Sequence, residues 1–219
     1  MTAKALLIAM MAAMAVATPS CTMVAWTAAQ FSPPQKVKAL YVVPADKKVL
    51  IFVDDLSNPV SYPPVKRELA EAIGRQFAEN KVASVTISYE RVLDLMATEK
   101  KFNDMGVANV GRKVGADLVL FVDIKSFKLR EEEGSPLWEG NLGVSVRWVD
   151  AWATKKDSAR IWPKDAAEYG VPAVGMPVKE EPSVDYGAEM ARILATRMAD
   201  RIAKLFYDHE VPATDIEEK

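Results

Sequence analysis

The amino-acid sequence predicts an α/β domain, a mixed β-sheet of about five strands with amphipathic helices packed on it as a single layered unit. Three observations carry that expectation. Two apolar runs, Val49 to Val53 in "KVLIFVD" and Leu118 to Val122 in "ADLVLFVDIKSFKL", are continuous, as in strands covered on both faces. Between them, "VKRELAEAIGRQFAEN" repeats Val65, Leu69, Ile73 and Phe77 every fourth residue, the stripe of a helix lying on a sheet. After them, "LGVSVRWVDA" places Leu142, Val144, Val146 and Trp148 on one face of a returning strand.

The amino-terminal element is "MTAKALLIAMMAAMAVATPS", with Lys4 as its only charge and an uninterrupted apolar run from Ala5 to Ala17. A membrane span needs about 20 apolar residues, so residues 1–20 fit a secretory signal peptide instead. Cys21, the single cysteine of the sequence, follows at once. That placement resembles the lipobox of bacterial lipoproteins, whose cysteine becomes the lipidated first residue of the mature chain. Ser20 fits the pattern, Thr18 is tolerated by it and Pro19 departs from it. The alternative is a plain secretory peptide cut near Ala17, leaving Cys21 free. One cysteine excludes an intramolecular disulfide and a thiolate metal cluster.

Residues 21–47 read as the anchor cysteine, a tether ending in "SPPQ", and a possible edge strand in "KVKALYVVP". Residues 48–208 form the α/β domain. "LSNPVSYPP" breaks the chain after the first buried strand, and the helix that follows carries Arg67, Glu71, Arg75 and Glu79 as a solvent ladder of alternating sign. "VASVTISY" alternates β-branched residues as a second core strand. "YERVLDLMATEK" is a short helix through Val92, Leu93 and Met96, and "VANVGRKVG" is another, stopped by Gly115. "EEEGSP" turns the next strand back, "KKD" is a hairpin turn, and "SARIW" completes a meander. Residues 163–182 hold four prolines and no periodicity, so they read as a long loop of the kind that often carries function. The last helix, capped by Ser183 or Asp185, buries Met190, Ile193, Leu194, Met198, Ile202, Leu205 and Phe206. Residues 209–219 are an acidic, frayed tail.

Charge excludes some partners. With 28 basic and 30 acidic residues well mixed and a formal charge of −2, the chain offers no basic footprint for nucleic acid and no polybasic membrane patch.

Asp54, Asp55, Asp123 and Asp150 stand at strand ends. "KVLIFVDD" and "DLVLFVDI" look like the acidic strands of a response-regulator receiver. However, Asp55 and Asp123 lie further apart than in that family, and no later strand ends in its lysine-proline pair. The acids are therefore expected to face solvent or cap turns. The rival reading makes them a small-ligand, metal or hydrolytic site, which requires that they converge in one concave pocket. His209, the only histidine, is expected to complement the dipole at the end of the last helix. One histidine there builds neither a nucleophilic triad nor a histidine metal site. "GVANVG" lacks a phosphate loop's lysine, and Glu131 to Glu133 read as a solvated turn. No catalytic residue, cofactor or metal ligand is assigned.

Trp138, Trp148, Trp152 and Trp162 crowd the meander. Each fills core or covers a sheet edge, or else some present an aromatic surface to a partner. Trp162, Tyr169, Val171 and Met176, on or beside the 163–182 segment, are the candidate partner-binding residues.

Residues 90–124 join a helix containing Arg91 and Leu93, Glu99, and a second helix ending in Gly115-Ala116-Asp117 before an apolar strand. That order resembles the superfamily of the curli-secretion lipoprotein, the lipoprotein activator of penicillin-binding proteins and the amino-terminal domain of the Tol-system propeller protein. "VSVRWVDAWATKKDSARIW" is similar to their strand pair, with Val149, Asp150 and Ala151 in place but Lys155 to Asp157 where those proteins turn on glycine. The resemblance implies a non-enzymatic envelope accessory that binds protein, and it supplies no active-site residue. The expectation is an exported protein facing the periplasm, held to a membrane by acyl chains on Cys21, with an envelope protein as its partner.

Overall fold

The computed structural model describes residues 35–57, 60–130, 135–154, 159–176, 179–180 and 186–211 of the 219-residue chain. Residues 1–20, expected to be a signal peptide, and Cys21, Glu131 to Glu133, Lys155 to Asp157, Ser183 and Asp185 lie outside these residues. Two compact units are present. The smaller pairs β1 (Gln35–Val37) with β10 (His209–Val211) in antiparallel register, Val37 opposite His209. This corrects two expectations. The last helix ends at Lys204, so His209 is a strand residue with no helix dipole to complement. The tail is also paired, not frayed, as far as Val211.

The larger unit, Lys38–Tyr207, is the α/β domain. Its central strands are β2 (Lys48–Asp54) and β4 (Leu118–Lys128), which pair in parallel from Val49–Leu118 to Asp54–Asp123. Both continuous apolar runs are buried, as strands covered on two faces must be. Between them lie α1 (Pro64–Glu79), β3 (Val85–Ile87), α2 (Glu90–Thr98) and α3 (Val107–Val114). After β4 come β5 (Leu137–Trp138), β6 (Asn141–Asp150), β7 (Arg160–Trp162), β8 (Tyr169–Gly175), β9 (Lys179–Glu180) and α4 (Tyr186–Lys204).

The main sheet has six strands in the order β3-β2-β4-β6-β7, with β8 also on β6. Strands β7 and β8 share one edge of β6 end to end. Strand β7 takes Trp148 and Val149, and β8 takes Asn141 to Val146. Here the long-loop expectation for 163–182 fails. Strand β7 leaves most of the β6 edge unpaired, and buried backbone groups there need partners, so Tyr169–Gly175 pairs despite Pro172. The proline sits in a bulge, where Arg201 of α4 donates to the freed carbonyls of Pro172 and Ala173 at 3.0 and 2.7 Å. Strand β9 pairs with β5 in a separate ribbon. Strand β3 is also not the core strand its alternation suggests. It is a three-residue edge, bonded only to β2, with Val85 exposed.

Helices α1 and α4 cover one face. Val65, Leu69, Ile73 and Phe77 are completely buried, as are Met190, Leu194, Met198 and Ile202 of α4. Trp148 closes this core between Phe77, Phe206 and Tyr41, with ring centroids 5.4–6.2 Å away. Helix α2 buries Val92 and half-buries Leu93, but its Met96 is exposed. Helix α3 packs on the opposite face of β4 and β6. It ends, as expected, at Gly115 with φ of +82°. Next, Asp117 ties two strand starts together: its carboxylate accepts the Lys48 N–H at 2.8 Å and its own N–H donates back to Lys48 at 2.9 Å.

Two glycines of α3 separate two kinds of cost. A Cβ at Gly115 meets nothing but forces a side chain into left-handed backbone, worth about 1 kcal/mol. A Cβ at Gly111 collides with Val119 and lies 3.1 Å from the Ala151 methyl, so the helix must lift off the sheet. Gly111→Ala should therefore lose about 2 kcal/mol or more in urea denaturation, clearly more than Gly115→Ala. Equal losses would contradict this packing.

Candidate functional site

The face of the sheet opposite α1 and α4 is built in transverse rows, because strand register aligns residues from β2 to β8. One row runs Phe52, Phe121, Arg147, and the next runs Asp54, Asp123, Ser145, Gly170. The first row is apolar with a cation on top. Phe52 and Phe121 meet edge-to-face at 5.5 Å, Phe102 packs on Phe52 at 6.2 Å, and the Arg147 guanidinium lies 4.4 Å from the Phe121 centroid.

The second row is a charge network. Asp123 is completely buried; its carboxylate accepts the Leu56 N–H at 3.1 Å and is ion-paired with Lys125. For Asp123 this corrects the expectation that the strand-end acids face solvent or cap turns: β4 runs on to Lys128, so Asp123 is interior to it. Lys125 reaches back because it occupies the bulge between Ile124 and Ser126, and it also binds Glu168 at 2.9 Å. Glu168 in turn accepts the Ser145 hydroxyl at 2.5 Å and lies 3.9 Å from Arg147. On the β2 side, Lys66 of α1 pairs with Asp55 and, at 3.3 Å, with Asp54. Asp54 also caps its turn by accepting the Asp55 N–H at 2.9 Å.

The network sets protonation. Burial alone would raise the Glu168 carboxyl, but the Ser145 hydroxyl, the Lys125 ammonium and Arg147 outweigh it and hold it below the usual range. Hydrogen bonds to Asp123 and Glu168 raise Lys125. Burial lowers Lys66, and the stronger pull of Asp55 and Asp54 leaves it raised. Burial, then Asp54 and Asp55, push the Tyr89 phenol well up, and its hydroxyl donates to the Val53 carbonyl at 3.1 Å.

Of the four acids expected at strand ends, three thus converge and one does not. Asp150 lies at the far end of β4, opposite Leu118, where it caps a turn by accepting the Trp152 N–H at 2.8 Å. Among the described residues, no three histidine, cysteine, aspartate or glutamate side chains are grouped to hold a metal ion. The carboxylates meet lysines and backbone N–H groups. Lys125 was legible as a same-face neighbour two residues from Asp123. Lys66 and Glu168 carry no local signal, since a helix start and an inter-strand turn deliver them.

Beside these rows opens a groove of about 1270 Å³, with Phe52 and Phe121 in its floor and Arg112, Arg147 and Arg160 in its walls. Asp54 reaches its edge. The residues expected to meet a partner lie elsewhere. Trp162 and Tyr169 are half-buried and packed on each other at 5.2 Å, with Phe206 at 5.5 Å from Trp162. Val171 is buried, and the Met176 N–H is bonded to Gly140 at 2.8 Å. Of the other tryptophans, Trp138 and Trp148 are core, whereas Trp152 is 60% exposed and anchored by its indole N–H to Ala116 at 3.0 Å.

No family model and no curated protein matches this chain. Among solved structures it is similar to a PelC dodecamer from Paraburkholderia phytofirmans, at 12% identity over 78% of this chain and 96% of that one, with a TM-score of 0.41. It is likewise similar to lipoprotein GNA1162 from Neisseria meningitidis, at 10% identity over 72% and 99%, with a TM-score of 0.41. At these values the likenesses assign neither family nor function. No helix among the described residues is long and apolar enough to cross a membrane.

Stability should report the charge network. Because the folded Glu168 carboxyl is held below its usual value of 4.5, its contribution is complete above that pH and is lost as pH falls through the folded value. Glu168→Gln should cost about 1 kcal/mol near neutrality, with the gap to the parent closing on acidification below about pH 4.5. A gap independent of pH from neutral to acid would remove Glu168 from the network.

Proposed function

We propose that this chain is an exported, lipid-anchored bacterial envelope protein that acts by binding protein and turns over no substrate. The observation that carries the anchor is Cys21, with three residues between it and the end of the apolar run Ala5 to Ala17. Acyl chains on that cysteine would hold the protein to a membrane facing the periplasm, since one chain alone binds weakly and bacterial lipidation adds more. The resemblance of residues 90–124 to envelope lipoproteins supports an accessory or assembly role. Support for a binding role comes from the acids themselves. Asp54 and Asp55 share the Lys66 ammonium and Asp123 is ion-paired with Lys125, so each already has a cationic partner in place of a substrate or a metal ion.

The ligand-binding alternative gains from one observation, that Asp54 lines the groove. It loses the pocket of four acids it required, because Asp150 is elsewhere.

Labelled fatty acid should be incorporated by the parent chain and not by Cys21→Ala when both are expressed in a bacterium. Absence of label from the parent ends the anchoring proposal.

A further inference from the structure

We infer that the groove beside Phe52 and Phe121 is a docking site for an acidic, apolar peptide segment of a partner protein. This deepens the protein-binding half of the proposal above. Anchoring at Cys21 is tested separately.

Size is the first argument. Sites for small molecules usually occupy about 300–1,000 Å³, and this groove, at about 1270 Å³, is larger and open. It suits a stretch of chain.

Charge is the second. Arg112 and Arg160 are exposed and have no carboxylate partner among the described residues; Arg112 bonds only to the Asn109 side chain, at 2.6 Å. Arg147 keeps Glu168 at 3.9 Å, but Glu168 is already held by Lys125 and Ser145. The lining holds two acids, Asp104 and Asp54, which shares the Lys66 ammonium with Asp55, so three guanidiniums face two carboxylates, one of them already paired. Helix α3 begins in the wall with no side-chain cap, and its amino-terminal end adds positive potential. Planar guanidiniums bind carboxylates in bidentate fashion, and those at Arg112 and Arg160 are available to do so.

Apolar surface is the third. Met105 and Phe102 are half-buried in the lining, and Leu56 at the rim is 65% exposed. The aliphatic surface of Met105 and Leu56 beside the Phe102 ring suits leucine or phenylalanine side chains.

The test is fluorescence anisotropy on the purified full-length chain in detergent. Three labelled decapeptides of equal length serve as probes: one rich in Glu, Asp, Leu and Phe, its Lys-for-acid counterpart, and a neutral apolar one. An oligogalacturonate is the competing acidic probe. The acidic apolar peptide should bind, more weakly as salt rises. Binding should fall about tenfold or more in Arg112→Glu/Arg160→Glu, whose positions are exposed and outside the core, and should tighten in Asp104→Asn. Unchanged melting of each variant confirms that folding is not the cause. The inference is overturned if the acidic peptide does not bind, if the charge reversal leaves its binding unchanged, or if oligogalacturonate binds in its place. Preference for the basic or neutral peptide overturns the inference but keeps protein binding, whereas failure of all three peptides counts against both.

Discussion

Strands β2 and β4 pair in parallel over six register pairs, and both are buried on both faces. Everything else in the α/β unit answers to that constraint. A parallel pair needs a long crossover, which α1, β3, α2 and α3 supply. It also needs cover on each side, from α1 and α4 on one face and α3 on the other. Asp117 closes the entry by bonding Lys48 in both directions, and Gly111 lets α3 approach to the Val119 side chain.

The same register explains the site. Parallel pairing sets Asp54 level with Asp123, and the antiparallel return of β6 adds Ser145 and Arg147 to the same rows. A buried carboxylate on an apolar face is costly unless it is paired and hydrogen-bonded. The Lys125 bulge, the Leu56 N–H and Lys66 at the start of α1 meet that requirement. The acids are thereby committed to holding β2, β4 and α1 together. Of the arginines of the adjacent groove, Arg147 belongs to the same network through Glu168, whereas Arg112 and Arg160 are not so committed.

Much of this was legible in the residues. Continuous runs marked β2 and β4, a four-residue period marked α1, and Gly115 marked the end of α3, because each is dictated by local burial or backbone geometry. What stayed hidden depended on partners distant in sequence. The 163–182 stretch looks like loop because its prolines and glycines erase periodicity, yet the unpaired half of β6 recruits it, and Arg201 covers its bulge. "VASVTISY" has strand composition but gains only one neighbour, so it stays a short edge. His209 follows a helical pattern that Lys204 in fact ends. The convergence of Asp54, Asp55 and Asp123 could be suspected from their strand positions, and Lys125 from its two-residue spacing to Asp123, but Lys66 could not.

The central claim is that these three carboxylates serve the architecture because each is already paired with a lysine. Thermal unfolding in rising concentrations of Mg²⁺ or Ca²⁺ tests it most directly. The account predicts a melting temperature that does not respond to either ion beyond the effect of matched ionic strength. A saturable rise that disappears in Asp54→Asn and Asp123→Asn would contradict it.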